Sequence, residues 1–267
     1  MVKFEKGYFE DTVPYLKAGS GDKNMVIIQG SLALIIELGL SAGSEVKRAR
    51  KLIPEDYTFY IIGFERNLPE NTTLERLATK YARIIRKNIG KTSLMGRSYG
   101  GLVALAIAAL YPRWVEKLFL ICSAANVSDP GRNFVNRVLD AFKTDDYSKM
   151  VKVLSGLFVS RVQRAIVTFG LKILKSRLMK IMYPTSTMVT AYEDLLNRTH
   201  DWGHILKLVK APTCIVGGTK DAIFTVEDFQ KTAQDIPNAN LILLEGAGHM
   251  FETVSQREMR EKLQDYL

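Results

Sequence analysis

The fold of this chain is indicated most clearly by the stretch Gly96-Arg97-Ser98-Tyr99-Gly100-Gly101. It follows the short run 92–95 and opens the alanine-rich run 102–110, so it predicts a sharp turn from a strand into a helix. Glycine is needed on both sides of the serine because the turn is tight and neighbouring backbone approaches closely. The serine hydroxyl is then held clear of the sheet, at the positive end of a helix dipole. We interpret Ser98 as a candidate nucleophile; the plainer alternative is a tight turn with a surface serine.

Length and composition are those of a globular protein. The 267 residues are 47% hydrophobic and 24% charged, which allows one large domain or two small ones. No apolar run reaches the roughly 18 residues that a membrane-spanning helix needs. Residues 1–6 do not resemble a secretory signal, so we expect a cytoplasmic protein. Cys122 and Cys214 lie in apolar, strand-like runs, and we expect both to be buried and unpaired.

The formal net charge is +9, and much of the excess lies between residues 126 and 200. It is dispersed and carries no recognised nucleic-acid-binding motif, so we expect no nucleic-acid partner. Part of this region is a basic amphipathic pattern on an apolar background, with Arg161, Arg164, Lys172, Lys175, Arg177 and Lys180. We favour ordinary packing of these helices with the lysines in water. The alternatives are a lid over an apolar pocket, contact with a membrane surface, and attraction to an acidic substrate.

Strand and helix patterns alternate along most of the chain. Such alternation predicts an α/β fold in which a mostly parallel central sheet is flanked by helices on both faces. The predicted strands cover 3–9, 12–18, 25–29, 57–62, 92–95, 117–122, 213–216 and 241–244, and the clearest helices are 45–52, 74–88, 226–235 and 255–267.

The alternation stops in the middle of the chain. Between residues 131 and 196 we find only helical patterns. We therefore predict a core made of residues 1–125 and 201–267, with residues 126–200 inserted as a helical cap. The cap should lie above the C-terminal ends of the strands, where open α/β sheets keep their sites.

A serine needs an adjacent base to act as a nucleophile, and the chain has three histidines. His249 follows the last predicted strand in a stretch of small residues, where a loop can fold over the sheet edge toward Ser98. His200 and His204 share one helical face at i,i+4 spacing, which two metal ligands could use. Since no carboxylate spacing completes that site, we expect no metal.

The base in turn needs an acceptor that fixes its tautomer and stabilises the imidazolium. Asp221 follows the predicted strand 213–216, so Ser98, Asp221 and His249 follow three different strands in that chain order. Asp129, after an earlier strand, is the alternative acid. Asp221 alone could also be a simple turn cap.

With these residues the chain resembles the α/β-hydrolase fold proteins over essentially its whole length. The resemblance implies cleavage of an ester or related acyl compound through an acyl-enzyme. Ser98 would attack, His249 would move the proton, and Asp221 would orient His249, without a metal or organic cofactor. The matching segments are 96–101, 217–221 and 246–249.

The resemblance also implies an oxyanion hole made by two backbone N–H groups. These are the N–H of Tyr99, which follows the nucleophile, and that of Ser31, in the loop after the third strand. This loop departs from the family pattern, because Gln29 replaces a histidine and the bulky apolar run 32–36 replaces small residues. We expect the run to narrow the pocket. Arg97 is also unusual, and we expect it to point away from the site rather than add charge to it.

The sequence thus predicts a carboxylesterase-like serine hydrolase for a small or medium apolar ester or thioester. Several alternatives stay open because they share the fold and the three residues: a non-catalytic ligand receptor, a carbon–carbon bond hydrolase, a hydroxynitrile lyase and a cofactor-free haloperoxidase. Dehalogenases and epoxide hydrolases of this type are disfavoured, because they carry aspartate where Ser98 stands. The oligomeric state is not indicated.

Overall fold

The computed structural model of the protein describes residues 3–39, 42–197, 202–251 and 253–267. Within these residues eight strands form one sheet, in the order β1-β2-β4-β3-β5-β6-β7-β8. The pairs β1–β2 and β2–β4 are antiparallel and the others are parallel. The strands are β1 (Glu5–Phe9), β2 (Val13–Ala18), β3 (Lys23–Ile28), β4 (Tyr57–Ile62), β5 (Thr92–Arg97), β6 (Val115–Ile121), β7 (Thr213–Gly218) and β8 (Ala239–Leu244).

Helices cover both faces of this sheet, so the predicted fold class is confirmed. Two short 3-10 helices, Ser31–Leu34 and Pro112–Trp114, lie in connecting loops. The helices are α1 (Ala42–Arg50), α2 (Leu74–Asn88), α3 (Tyr99–Leu110), α4 (Asp129–Lys143), α5 (Tyr147–Ser155), α6 (Arg161–Ile173), α7 (Lys175–Ile181), α8 (Thr185–Asn197), α9 (Gly203–Leu206), α10 (Val226–Asp235) and α11 (Thr253–Leu263).

The core lies on the two faces of the sheet because strand residues alternate between them. On one face Met25, Phe59 and Met95 pack with α1 and α11. On the other, Val26 and Leu94 pack with α2 and α3. Helix α3, which begins directly after Ser98, is buried at every residue except Leu110. The candidate nucleophile is therefore held by the most deeply buried helix of the described chain.

Within the described residues six helices connect β6 to β7: the short α9 lies directly before β7, and ahead of it come the five helices of the predicted insert, α4 to α8. Several hydrogen bonds join the insert to the core. Among them, Leu74 N–H donates to Asp194 Oδ2 at 3.0 Å, and Tyr183 N–H donates to Ile35 O at 2.7 Å. The predicted domain bounds of the cap stay a prediction, and residues 198–201 lie outside the described residues.

Only some helices of this insert pack against the core. Helices α4, α5 and α8 bury apolar faces, whereas α6 and α7 contain no buried residue. The expectation that all of these helices pack on the core is therefore wrong for α6 and α7. Helical periodicity reveals an apolar face but not whether another element covers it. None of the helices in the described residues is both long and apolar enough to cross a bilayer.

Candidate active site

Ser98 lies in a strained turn between β5 and α3. Its backbone has φ +51° and ψ −125°, a conformation that non-glycine residues adopt only where the surroundings enforce it. The flanking glycines allow the turn, because a Cβ on Gly96 would lie 2.5 Å from Gly100 O and a Cβ on Gly100 would lie 2.2 Å from Gln29 O. Ser98 N–H donates to Ile121 O at 2.9 Å, which anchors the turn to β6.

The structure brings Ser98, His249 and Asp221 into one hydrogen-bonded chain. His249 Nε2 lies 2.9 Å from Ser98 Oγ, and its Nδ1 lies 2.9 Å and 3.0 Å from the two carboxylate oxygens of Asp221. Because a carboxylate only accepts, Nδ1 carries the proton in this arrangement and Nε2 is the acceptor that faces the hydroxyl. The His249 and Asp221 side chains are 4% and 0% exposed, so water competes little for these bonds.

Backbone contacts fix the Asp221 carboxylate. Its Oδ1 accepts from the N–H groups of Ile223 at 2.8 Å and Phe224 at 3.1 Å. The Phe224 ring then lies against the imidazole of His249, with centroids 6.1 Å apart. Asp129, the alternative acid, instead lies exposed at the first turn of α4. Asp221 is therefore the carboxylate that the fold holds against the imidazole of His249.

The loops that carry Asp221 and His249 are bonded to each other. Lys220 N–H donates to Ala247 O and Gly246 N–H donates to Thr219 Oγ1, each at 2.8 Å. Close approach requires glycine here, since a Cβ on Gly218 would lie 2.2 Å from Ala247 O. The distance between Asp221 and His249 is thus set by the adjacent parallel strands β7 and β8 and by these two hydrogen bonds beyond their ends.

The loop after β3 lies directly against the turn. A Cβ on Gly30 would lie 3.3 Å from Ser98 Cβ. Ser31 is the first residue of the 3-10 helix, and Tyr99 is the first residue of α3. The leading N–H groups of a helix point out of its N-terminus. The N-termini of the 3-10 helix and of α3 therefore meet at Ser98.

A cavity of about 80 Å³ adjoins Ser98 and His249. Most of its wall is apolar and comes from the 3-10 loop and the insert: Leu32, Ile35, Phe134, Val138, Leu154, Leu157 and Met188. A larger, open cavity of about 570 Å³ lies among α4, α5 and α6. Half of its lining residues are charged, and none belongs to the hydrogen-bonded chain of Ser98, His249 and Asp221, so we take the small apolar cavity as the site.

Comparison with known proteins agrees with this architecture. Residues 84–251 match the family model described as the alpha/beta hydrolase fold. The chain belongs to the α/β-hydrolase family. Lipase 1 of Psychrobacter immobilis is 24% identical to this α/β hydrolase over an alignment of 278 positions, gaps included, that covers 94% of this chain and 82% of the lipase.

A second relative is less fully covered. The 2-hydroxy-6-oxononadienedioate/2-hydroxy-6-oxononatrienedioate hydrolase of Burkholderia vietnamiensis is 25% identical over 169 residues. The alignment covers 60% of this chain but only 57% of that protein, which is less than two thirds of its length.

Solved structures share the fold over nearly the whole chain. MGS-M2, an alpha/beta hydrolase enzyme from a Medee basin deep-sea metagenome library, has a TM-score of 0.79 at 16% identity and covers 98% of this chain and 96% of its own. The esterase EaEST from Exiguobacterium antarcticum has a TM-score of 0.75 at 18% identity, and the match covers 100% of this chain and 99% of the esterase. At these identities the structures establish the fold. The protein is an enzyme of the α/β-hydrolase family.

Tyr192 is a site residue that the sequence did not reveal. It lies on α8, and its hydroxyl donates to Ser31 Oγ at 2.6 Å. Its ring lies 6.1 Å from that of Tyr99. Burial raises the pKa of Tyr192 to about 12, so the hydroxyl remains a donor at neutral pH. The α/β hydrolase thus uses a residue of the insert to hold the loop beside Ser98. No motif marks this contact, because it joins residues 161 positions apart.

Cys122 lies beside Asp221 and His249. Its sulfur, an Asp221 carboxylate oxygen and a His249 ring nitrogen lie within 4.8 Å of one another. Burial and the Asp221 charge raise the pKa of the Cys122 thiol well above its usual value. Metals bind the thiolate, and the other two groups are already bonded to each other, so these three residues do not suit a metal. His200 lies outside the described residues, and His204 is exposed on α9.

Arg97 borders the cavity beside Ser98 and also a separate cavity on the other face of β5, next to Met95 and Ile121. Its Nη2 contacts Met250 Sδ at 3.4 Å. The expectation that Arg97 points away from Ser98 stays a prediction.

Proposed function

We propose that the protein is a serine hydrolase that cleaves a small or medium apolar ester or thioester through an acyl-enzyme on Ser98. The hydrogen-bonded chain from Ser98 Oγ through His249 to Asp221 is the observation that carries this proposal. An isolated serine hydroxyl is a weak nucleophile at neutral pH, and a base held 2.9 Å from its oxygen can take its proton as it attacks.

The reaction runs in two halves. His249 Nε2 takes the proton of Ser98 Oγ while Oγ bonds to the acyl carbon. The carbonyl oxygen becomes an oxyanion, for which the N–H groups of Tyr99 and Ser31 are the proposed donors. When the intermediate collapses, the alcohol or thiol leaves with the proton from His249. Water then repeats the sequence with His249 as base, which releases the acid and restores Ser98.

Asp221 supports both halves by stabilising the imidazolium that forms on His249. It does so from a buried position, where a charge interaction is stronger than in water. The two N–H groups that hold its carboxylate keep it in place for the bond to Nδ1.

The walls of the cavity support an apolar acyl group of limited length. The cavity of about 80 Å³ beside Ser98 is small, so we expect short acyl chains to fit without movement of the insert. Longer chains would require displacement of side chains such as Leu154 and Leu157.

Substitution of Ser98 tests the proposal. Ser98→Ala is expected to lower kcat for p-nitrophenyl butyrate by about 10⁴-fold or more, because the members of such a triad act as a unit. His249→Ala should lose nearly as much. Ser148→Ala, which removes an exposed hydroxyl on α5, is the matched control and should retain full activity.

A fluorophosphonate probe separates catalysis from ligand binding alone. Rapid labelling of the wild type and none of Ser98→Ala would identify an activated nucleophile. A wild type that neither reacts with the probe nor turns over the ester would favour a receptor instead. Unchanged turnover in Ser98→Ala would remove Ser98 from the mechanism.

A further inference from the structure

Helix α6 exposes a continuous apolar stripe. Val162, Ile166, Phe169 and Ile173 are each between 65% and 68% exposed. Steps of four, three and four residues place them within roughly 60° of one another, since a helix turns about 100° per residue. Single exposed aliphatic side chains are normal on a protein, but a contiguous apolar patch marks a surface that binds another apolar surface.

The stripe continues beyond α6. Leu174, at the junction with α7, is 46% exposed, and Met179 of α7 is 41% exposed. The other side of α6 attaches it to the protein, where Tyr147 of α5 donates a hydrogen bond to Leu171 O at 2.6 Å. The apolar stripe therefore points outward from a helix that is held in place from behind.

The segment that carries the stripe is basic throughout. Residues 147–192 contain eight Lys and Arg residues and no Asp or Glu. This segment alone has a formal charge of +8, against +9 for the whole chain. Six of the eight basic residues lie on α6 and α7: Arg161, Arg164, Lys172, Lys175, Arg177 and Lys180.

We propose that α6 and α7 form a docking surface for an anionic lipid bilayer. The apolar stripe would lie at the boundary between headgroups and acyl chains, and the basic side chains would extend to the lipid phosphates. The positive charge of residues 147–192 favours an anionic bilayer as the binding partner. Such a bilayer offers an apolar layer beneath a negative surface, and that surface attracts each nearby Lys or Arg. The side chains of this segment offer no negative group to oppose it.

The docking surface adjoins the wall of the active-site cavity. Leu157, just before α6, lines that cavity. Val159 packs on the His249 loop so closely that a Cβ on Gly248 would lie 2.5 Å from Val159 Cγ2. A bilayer bound at α6 would thus lie beside the segment that covers Ser98. Delivery of a lipid-dissolved ester to the site rests on the proposed function, whereas binding to the bilayer does not.

Vesicle flotation tests the docking surface directly. The Ser98→Ala protein is used, so that hydrolysis cannot alter the lipid and the result does not depend on activity. Vesicles of equal parts phosphatidylglycerol and phosphatidylcholine are expected to carry the protein upward, and vesicles of pure phosphatidylcholine to carry far less. Salt at about 0.5 M should weaken the binding, because it screens exposed charges.

The apolar stripe is tested by Ile166→Ser with Phe169→Ser. We expect at least tenfold weaker binding, with an unchanged melting temperature because both side chains are exposed. The matched control is Leu208→Ser with Val254→Ser, which removes two apolar side chains that are 51% and 70% exposed elsewhere. The control should bind like the parent protein.

The charge is tested by Lys172→Gln with Lys180→Gln. Each basic residue near an anionic surface contributes about fivefold to binding, so the pair should weaken it roughly 25-fold. Lys51→Gln with Lys91→Gln removes the same charge from exposed positions outside the insert and should have little effect.

Three results would overturn the proposal. The first is a parent protein that does not float with anionic vesicles. The second is equal binding by the α6 variants and their matched controls. The third is a dimer in sedimentation velocity that Ile166→Ser with Phe169→Ser dissociates, without vesicle binding, which would assign the stripe to a second copy of the chain.

Discussion

At the scale of single residues, the backbone of Ser98 stores strain in the place where the proposed chemistry occurs. Its φ of +51° suits glycine far better than serine. The hydrogen bond to Ile121 and the close packing of the flanking glycines hold it there. A strained nucleophile of this kind implies that stability and activity oppose each other at one position.

Replacement of Ser98 by two different residues measures that strain. Ser98→Gly and Ser98→Ala both remove the hydroxyl, but only glycine relaxes the backbone. We expect the glycine variant to have the larger free energy of unfolding, by about 1 kcal/mol. At Ser148, the second residue of α5, the order should reverse, because alanine is a better helix former than glycine by up to about 1 kcal/mol. Urea unfolding of the four variants checks both signs. An alanine variant that is as stable as the glycine variant at position 98 would argue against stored strain.

Tyr192 is the second residue whose effect can be isolated, and we interpret it as a positioning residue. Tyr192→Phe removes only the hydroxyl that bonds Ser31 Oγ at 2.6 Å. A loosened Ser31 loop should lower kcat about fivefold, the value of one hydrogen bond of about 1 kcal/mol, with KM little changed.

Steady-state kinetics on p-nitrophenyl butyrate separate kcat from KM for this variant. The control is Tyr183→Phe, which removes another insert hydroxyl whose partner, Phe64 O at 3.4 Å, is outside the loop. A rise in KM with an unchanged kcat would mean that Tyr192 shapes the pocket instead of holding the loop.

At the scale of elements, the insert forms much of the wall of the cavity in which we propose that the acyl group binds. Leu157 lies at the cavity wall in the segment before α6. Leu157→Ala should shift the chain-length optimum of p-nitrophenyl esters upward, because the lost side chain opens space in a cavity of only about 80 Å³. Leu208→Ala, which shortens an exposed leucine, should leave the optimum unchanged. If both variants keep the wild-type dependence of activity on ester chain length, the acyl chain does not occupy this cavity.

The elements also show which parts of the structure local sequence could predict. Helices α2 and α10 have the predicted bounds, because Thr73 and Thr225 are visible caps that each accept a backbone N–H. The outward face of α6 could not be predicted in the same way. Its periodicity indicates an amphipathic helix, but whether the apolar side is covered depends on the placement of other elements.

At the scale of the whole molecule, sheet order assembles the candidate site. Ser98 follows β5, Asp221 follows β7 and His249 lies beyond β8. These parallel strands end at the same edge of the sheet, and β6 lies between β5 and β7. The alternating pattern was enough to predict that the three residues share this edge. The bond between Tyr192 and Ser31 was not predictable, because it depends on how the insert folds back over the sheet.

The two cysteines make the whole fold sensitive to alkaline pH. Cys122 and Cys214 are 0% and 2% exposed. Burial raises the pKa of the Cys122 thiol well above its usual value and that of Cys214 to about 12. A folded-state pKa above the unfolded value means that the contribution to stability is complete below the unfolded pKa, about 8.5, and is lost as the pH rises toward the folded pKa.

Each thiol should therefore lower the free energy of unfolding by about 1.2 kcal/mol between pH 8 and pH 9.5, or about 2.5 kcal/mol for the pair. Chemical unfolding at several pH values measures this slope. Cys122→Ala with Cys214→Ala should be less stable at pH 8, because it leaves small cavities, but its stability should fall much less over the same interval. Comparison of the two slopes isolates the thiols from other groups that titrate in this range. An equally steep fall in the double variant would assign the alkaline sensitivity to other groups and leave the two buried sulfurs with a packing role alone.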